Sequence, residues 1–260
     1  MIPIKIEVGT YTVFNLPPYF FFTGLGLTVS VCCYMLLLLK SNTNISKKNL
    51  LLFIITILGI MFGARLFGCL TNIAIKLYNH EKIDLSVIYK AGLVYYGGLI
   101  GAVCFYLIGI RVLFRNQNKR ALINALAVSI PLFHFFGRIG CLFAGCCYGK
   151  EYHGNIHVDY IRDGVSTETF PIQTVESLLE LCIFSFLLII YCRHSKQNNI
   201  NLLVYYFLIY SVGRFFIEFY RGDINRGEFG IFSFSQIISI GLFLFNIFFL
   251  FTGKVKNENY

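Results

Sequence analysis

The sequence predicts an all-α polytopic membrane protein with seven transmembrane helices in one domain, and three observations carry that reading. The 260-residue chain is 57% hydrophobic, 17% aromatic and only 13% charged, with a mean hydropathy of +0.68. A soluble globular domain carries about 25% charged residues, so this chain is built to use lipid as its solvent. Its apolar residues gather in runs near the roughly 20 residues that a bilayer-spanning helix needs. Its basic residues gather in alternate connections between those runs.

The first run, residues 19–39, follows a segment containing "LPP" and has neither a basic n-region nor a small-residue cleavage site, so it is expected to be a span and not a cleavable signal peptide. The runs at 49–75 and 233–252 are equally clear. Those at 91–110 and 201–219 have span length, while 121–142 and 173–192 are interrupted by charged residues and glycines. No repeat of fixed period, low-complexity tract or Pro/Ser linker divides the chain, which predicts a single membrane domain over residues 1–260.

Loop charge predicts the orientation, because Lys and Arg stay on the cytoplasmic side. One set of connections holds Lys40, Lys47 and Lys48, then Arg111, Arg115, Lys119 and Arg120, then Arg193 and Lys196, and finally Lys254 and Lys256 against Glu258, a net +10. The other set nets −1. The expectation is an N-terminus outside and a C-terminus in the cytoplasm. The formal charge of +9 is then mostly a topology signal, and no nucleic acid partner is implied.

Six charges remain inside the spans: Arg65, Arg138, Glu176, Glu180, Arg214 and Glu218. Each costs roughly 2.5–3.5 kcal/mol at a helix centre, so each is expected to face a partner, the bundle interior or a wet cavity. In "SVGRFFIEFYRGD", Arg214, Glu218 and Arg221 stand at i, i+4 and i+7 and are expected on one helical face. His134 and Arg138 share a face, as do Glu176 and Glu180. Interhelical ion pairing explains such charges as well as ligand binding does. Converging guanidiniums, however, match a phosphate bidentately, and in a membrane the ligand at hand is a phospholipid headgroup. Gly97 and Gly101 in "YYGGLIGA" form a GxxxG pair, as do Gly145 and Gly149, and either allows close approach of a backbone or a ligand.

Nine cysteines are many for this length, but six are scattered through apolar runs, where a cysteine is a small hydrophobe. Cys141, Cys146 and Cys147 cluster where the fourth span meets a loop, with His153 and His157 close behind. Their spacing matches no paired zinc pattern, and no metal site is expected from it. A disulfide is open if the face is oxidising. So is a catalytic thiol, with Arg138 one turn before Cys141 supplying the charge that lowers its pKa.

These segments also resemble the prolipoprotein diacylglyceryl transferase family over nearly the whole chain, through "GARLFG" (63–68), "YYGGLIGA" (95–102), "FGRIGCLFAGCCYGK" (136–150), "FPIQTVESLLE" (170–180), "GRFFIEFYRGD" (213–223) and "SQIISI" (235–240), in order. The resemblance implies a multi-pass enzyme of the bacterial cytoplasmic (inner) membrane. It would move the diacylglyceryl group of phosphatidylglycerol onto the lipobox cysteine of a preprolipoprotein signal peptide, with no metal or organic cofactor. It further implies that Arg138, Arg214, Tyr96 and Glu218 are catalytic, and that Arg138, Arg214, Arg221, Gly97, Gly98, Gln173 and Glu176 bind substrate. The family's "HGG" histidine is Tyr96 here, its signature asparagines are Cys141 and Ala144, its signature glutamate is Cys146, and the tyrosine of its "QLYE" is Val175. Tyrosine is a weak base near neutral pH, which makes His134 a candidate stand-in. Two other readings remain: a paralogue that binds anionic membrane lipid with another acceptor or a non-catalytic role, and a thiol-redox membrane protein built on Cys141 and Cys146.

Overall fold

In the computed structural model the described residues are 4–7, 16–43, 45–78, 80, 82–89, 91–115, 119–162, 165–194, 201–222, 228–229 and 232–257. Among them, seven helices are long and apolar enough to cross a bilayer. They are α1 (Pro18–Lys40), α2 (Lys47–Tyr78), α4 (Tyr95–Leu113), α5 (Lys119–Phe143), α6 (Ile172–His194), α7 (Leu202–Ile217, extended by a 3-10 turn) and α8 (Phe234–Asn257), with the short α3 (Ser86–Tyr89) between α2 and α4. The predicted spans all appear. Pro18 opens α1 at a position where its missing N–H costs nothing.

Two of the boundaries that differ from the sequence expectation do so for a clear local reason. The third span begins at Tyr95, not Ala91, because the chain before it runs extended: Val94 N–H donates to Ala64 O (3.2 Å), and Arg65 donates to the carbonyls of Ala91 (2.8 Å) and Ile88 (2.9 Å). Arg65 is thus an exposed residue that ties down the α2–α4 connection, and it stands apart from the other intramembrane arginines. The sixth span ends at Ile217. Glu218–Tyr220 form a 3-10 turn and Arg221 is extended, so Arg214, Glu218 and Arg221 are brought together by a change of backbone and not by one continuous helical face.

The fold also holds strands that an all-helical reading omits. β1 (Ile4–Glu7) runs parallel to β2 (Val158–Arg162), which pairs antiparallel with β3 (Val165–Thr169) in the order β1-β2-β3. The signal was present: "VDYIR" and "VSTET" flank Asp-Gly, a strong hairpin turn pair. Asp163 and Gly164 themselves lie outside the described residues, as does Asp223. A smaller pair joins β4 (Glu228–Phe229) to β5 (Phe232–Ser233).

Helix packing follows the glycines. α2 lies on α4 with Gly59 and Gly63 against Gly97 and Gly101; a Cβ on Gly63 would stand 2.2 Å from Gly97 O, and one on Gly101 would stand 2.2 Å from Gly59 O. Gly26 on α1 receives Phe136 of α5 in the same way. Gly145 and Gly149 form no helical pair, since both follow the end of α5, Gly145 with φ 63°. At the bundle end away from the sheet, tyrosines seal the core: Tyr34 and Tyr106 hydroxyls meet at 2.8 Å, Tyr106 donates to Leu122 O and Tyr191 to Leu37 O.

Candidate active site

The charged residues converge at the sheet end, where α5 finishes, α6 begins and α7 finishes. Glu176, one turn into α6, is the hub. Its carboxylate lies 2.7 Å from Arg138 Nε of α5, 2.8 Å from Arg214 Nη1 of α7 and 3.1 Å from Arg221 Nη1. Arg214 Nη2 reaches Glu218 at 2.5 Å, and Arg221 lies 4.0 Å from the same carboxylate. All five side chains are buried. Each guanidinium carries five N–H donors, so three of them present more donors than two carboxylates accept, in a setting of low dielectric where an added anion is held strongly.

A second layer fixes Arg138. Its Nε–H donates to His134 Nε2 at 3.0 Å, while His134 Nδ1 lies 2.6 Å from Glu180. A nitrogen that accepts from a guanidinium carries no proton, so the geometry selects the Nδ1–H tautomer donating to Glu180. The His134 lone pair is therefore engaged by Arg138. Tyr95 stacks on the imidazole with ring centroids 4.1 Å apart, and the Arg138 guanidinium sits 5.8 Å from the same ring.

The loop after α5 is stitched to this cluster. Gly149 bridges Arg221, Lys150 N–H donates to Tyr220 O (2.9 Å), and Phe170 N–H donates to Lys150 O (2.9 Å). Gly149 is required here, because a Cβ would stand 2.3 Å from Phe170 O. Gln173, fully buried, donates to Cys146 O and to the Tyr160 hydroxyl, both at 2.9 Å, which joins α6 to the loop and to β2. Its Oε1 is buried with no hydrogen-bond partner among the described residues. The Sγ atoms of Cys141, Cys146 and Cys147 all lie within 4.8 Å of one another, and none is in a disulfide.

The sequence-predicted residues therefore divide. Arg138, Arg214, Arg221, Glu176, Glu218, Gln173 and His134 come together, with Cys141 and Cys146 on the adjoining turn. Tyr96 is buried nearby, but its hydroxyl meets Ser239 of α8 at 2.5 Å. Gly97 faces Gly63 and Phe67, and Gly98 faces Ile60 and Ala64. Both glycines face α2, and at Gly97 the approach is close, since a Cβ there would stand 2.4 Å from Gly63 O. Ser233 was not anticipated: its hydroxyl donates to Glu218 Oε1 at 3.0 Å. A capping box holds it, with Gln236 N–H on Ser233 Oγ (3.3 Å) and Ser233 N–H on Gln236 Oε1 (2.9 Å). The "SFSQ" spacing of Ser and Gln was the available signal.

Beside the sheet, His153 Nδ1 lies 2.8 Å from Glu168 of β3. The Glu168 hydrogen bond raises the pKa of His153 above the ordinary histidine value, and the same bond lowers that of Glu168.

Comparison with known proteins places the chain in a family. The chain is 33% identical over 257 residues to phosphatidylglycerol–prolipoprotein diacylglyceryl transferase 2 of Clostridium perfringens, covering 94% of this chain and 95% of that one. It is 33% identical over 204 residues to the phosphatidylglycerol–prolipoprotein diacylglyceryl transferase of Clostridium tetani (75% and 78%) and 28% identical over 280 residues to that of Campylobacter lari (98% and 97%). The family model described as prolipoprotein diacylglyceryl transferase matches residues 7–252. Carrying seven apolar helices and matched over nearly its whole length, the chain belongs to the prolipoprotein diacylglyceryl transferase family.

Proposed function

We propose that the chain is a phosphatidylglycerol–prolipoprotein diacylglyceryl transferase of a bacterial cytoplasmic membrane, with its N-terminus outside and residues 1–260 acting as one membrane domain. The observation that carries this reading is the buried convergence of Arg138, Arg214 and Arg221 on Glu176. In the reaction, a C–O bond to phosphate breaks and the leaving glycerol phosphate gains negative charge. Donors already fixed around that position stabilise the transition state without reorganising. Glu176 and Glu218 hold the guanidinium forks at set angles, and His134 with Glu180 orients Arg138. Gln173 Oε1, buried without a partner among the described residues, accepts a headgroup hydroxyl in this reading. Tyr96, anchored on Ser239, shapes the wall between α4 and α8.

The test is complementation of a transferase-depleted bacterium, together with transfer from phosphatidylglycerol to a lipobox peptide by the purified chain. Lipidated peptide is expected. Arg138→Ala and Arg214→Ala should each nearly abolish it, and full activity in both variants would refute the phosphate clamp. No product at high expression would overturn the transferase reading.

A further inference from the structure

We infer that Cys141, Cys146 and Cys147 form a three-thiolate zinc site whose open fourth position takes the acceptor thiol; this rests on the transferase reading above.

The cluster is assembled by the fold and not by sequence spacing. Cys141 sits buried in the last turn of α5, three residues after Arg138, while Cys146 and Cys147 lie on the turn that follows. Gly145 takes φ 63°, and Cys147 takes φ 57°, a left-handed conformation that few residues other than glycine adopt. A turn with this shape carries the sulfurs of Cys146 and Cys147 back toward Cys141, and all three Sγ atoms fall within 4.8 Å of one another. Zinc binds thiolate sulfur at about 2.3 Å in tetrahedral geometry, which sets sulfurs about 3.8 Å apart. Closing onto the ion therefore needs side-chain rotation and no rearrangement of the helices.

The donor set selects the metal and the type of site. Three soft thiolates suit zinc and exclude magnesium or calcium, which take oxygen ligands. Among the described residues no fourth cysteine, histidine or carboxylate joins the group. Structural zinc sites are closed by four protein ligands, whereas three ligands leave a position for an exogenous group. A zinc ion on three thiolates carries one net negative charge, and the Arg138 guanidinium acts on all three sulfurs and that of Arg221 on Cys147 from the adjoining cluster.

The acceptor in the proposed reaction is itself a thiol. Binding at the fourth position deprotonates it, since a metal-coordinating thiol loses its proton outright. The proton passes to water or to the departing phosphate. The thiolate sulfur then forms a bond to the glyceryl carbon as the bond from that carbon to the phosphate oxygen breaks, and the leaving phosphate takes the electron pair into the field of Arg138, Arg214 and Arg221. No oxidant or reductant is consumed. The site thus supplies acceptor activation in a chain where Tyr96 is tied to Ser239 and the His134 lone pair is engaged by Arg138.

The experiment uses the full chain in lipid nanodiscs, purified without chelator. Elemental analysis is expected to find one zinc per chain. Reloading with cobalt(II) should produce a thiolate-to-cobalt charge-transfer band and intense visible bands of a tetrahedral ion. Adding a lipobox peptide should shift the visible bands, while its Cys→Ser counterpart should leave them unchanged. Cys141→Ser, Cys146→Ser and Cys147→Ser should each weaken metal binding by more than the roughly 10–100-fold that loss of an outer-shell contact costs. Cys104→Ser, on the exposed side of α4, should leave it intact. The wild-type cobalt spectrum needs no variant to fold. Its failure to show thiolate charge transfer overturns the site, and bands indifferent to the peptide thiol overturn the acceptor role. Lipid transfer by chain lacking any such spectrum would leave the transferase reading standing and this inference refuted. A peptide-responsive cobalt spectrum without lipid transfer would keep the metal site but refute the transferase reading, and the acceptor role with it.

Discussion

A guanidinium offers a planar fork and an ammonium a point charge, and that difference decides what happens at Arg214. Its two terminal nitrogens reach Glu176 at 2.8 Å and Glu218 at 2.5 Å at once, which a lysine cannot do. Arg214→Lys should therefore fold, yet lower kcat roughly 100-fold, the cost of losing one oriented donor on a developing anion. A steady-state assay of peptide lipidation checks this, and activity within a few-fold of wild type would show that charge alone suffices. Glu176 makes the opposite prediction. Removing its charge leaves three buried guanidiniums facing one another, so Glu176→Gln should destabilise the fold by on the order of 3 kcal/mol, read as a lowered unfolding temperature in detergent micelles. At this scale the sequence was informative about Arg138, Arg214, Glu176 and Glu218, because a charge in an apolar run has few places to go. The same signal gave Arg65 a partner without saying which: its partners are backbone carbonyls in a connection, and carbonyls leave no mark in a residue pattern. The cysteine cluster was visible along the chain, but the meeting of its three sulfurs was not, since that depends on two left-handed residues in one turn.

Between elements, the contact of α2 with α4 rests on four glycines. Gly101→Val should push the helices apart, because even a Cβ would stand 2.2 Å from Gly59 O. Overpacking of this kind costs typically about 1–3 kcal/mol. Gly24→Ala on α1, where nothing lies within 4 Å, should be neutral or slightly stabilising in the same thermal assay. Equal losses in both variants would show that helix propensity, not the interface, governs the response. The sheet offers a pH test. His153 is raised by Glu168, so the contribution of its protonated form to the hairpin is present below about pH 6.5 and fades as pH rises through the raised value. Glu168 is lowered by His153, so its contribution is lost as pH falls through the depressed value. Histidine NMR titration in nanodiscs should find His153 above about 6.5, returning toward that figure in Glu168→Gln. The spans were legible because a bilayer demands long apolar runs, which composition alone reveals. The strands were not, since "HVDYIRDGVSTET" has the alternation and Asp-Gly turn of a hairpin but sits between spans, where a charged loop is equally consistent with the charge count.

For the molecule as a whole, chain order and loop charge make a joint prediction about sidedness. Passing through seven helices, the end of α5, the start of α6 and the end of α7 share one face, and that face carries the arginine cluster, the cysteines and the sheet. β1 pairs with β2 there, so the chain's beginning lies on the same face. The connections at the opposite end hold the concentrated Lys and Arg that keep a loop cytoplasmic. The site is accordingly expected to face outward, next to the leaflet where a translocated signal peptide presents its cysteine. Alkaline phosphatase fused within residues 79–90 should be active, and fused within residues 115–120 inactive, while a cytoplasmic fluorescent fusion reports the reverse. Fusions with the opposite pattern would put Arg138, Arg214 and Arg221 on the cytoplasmic side, and the proposed meeting of lipid phosphate with an exported thiol would have no compartment in which to occur.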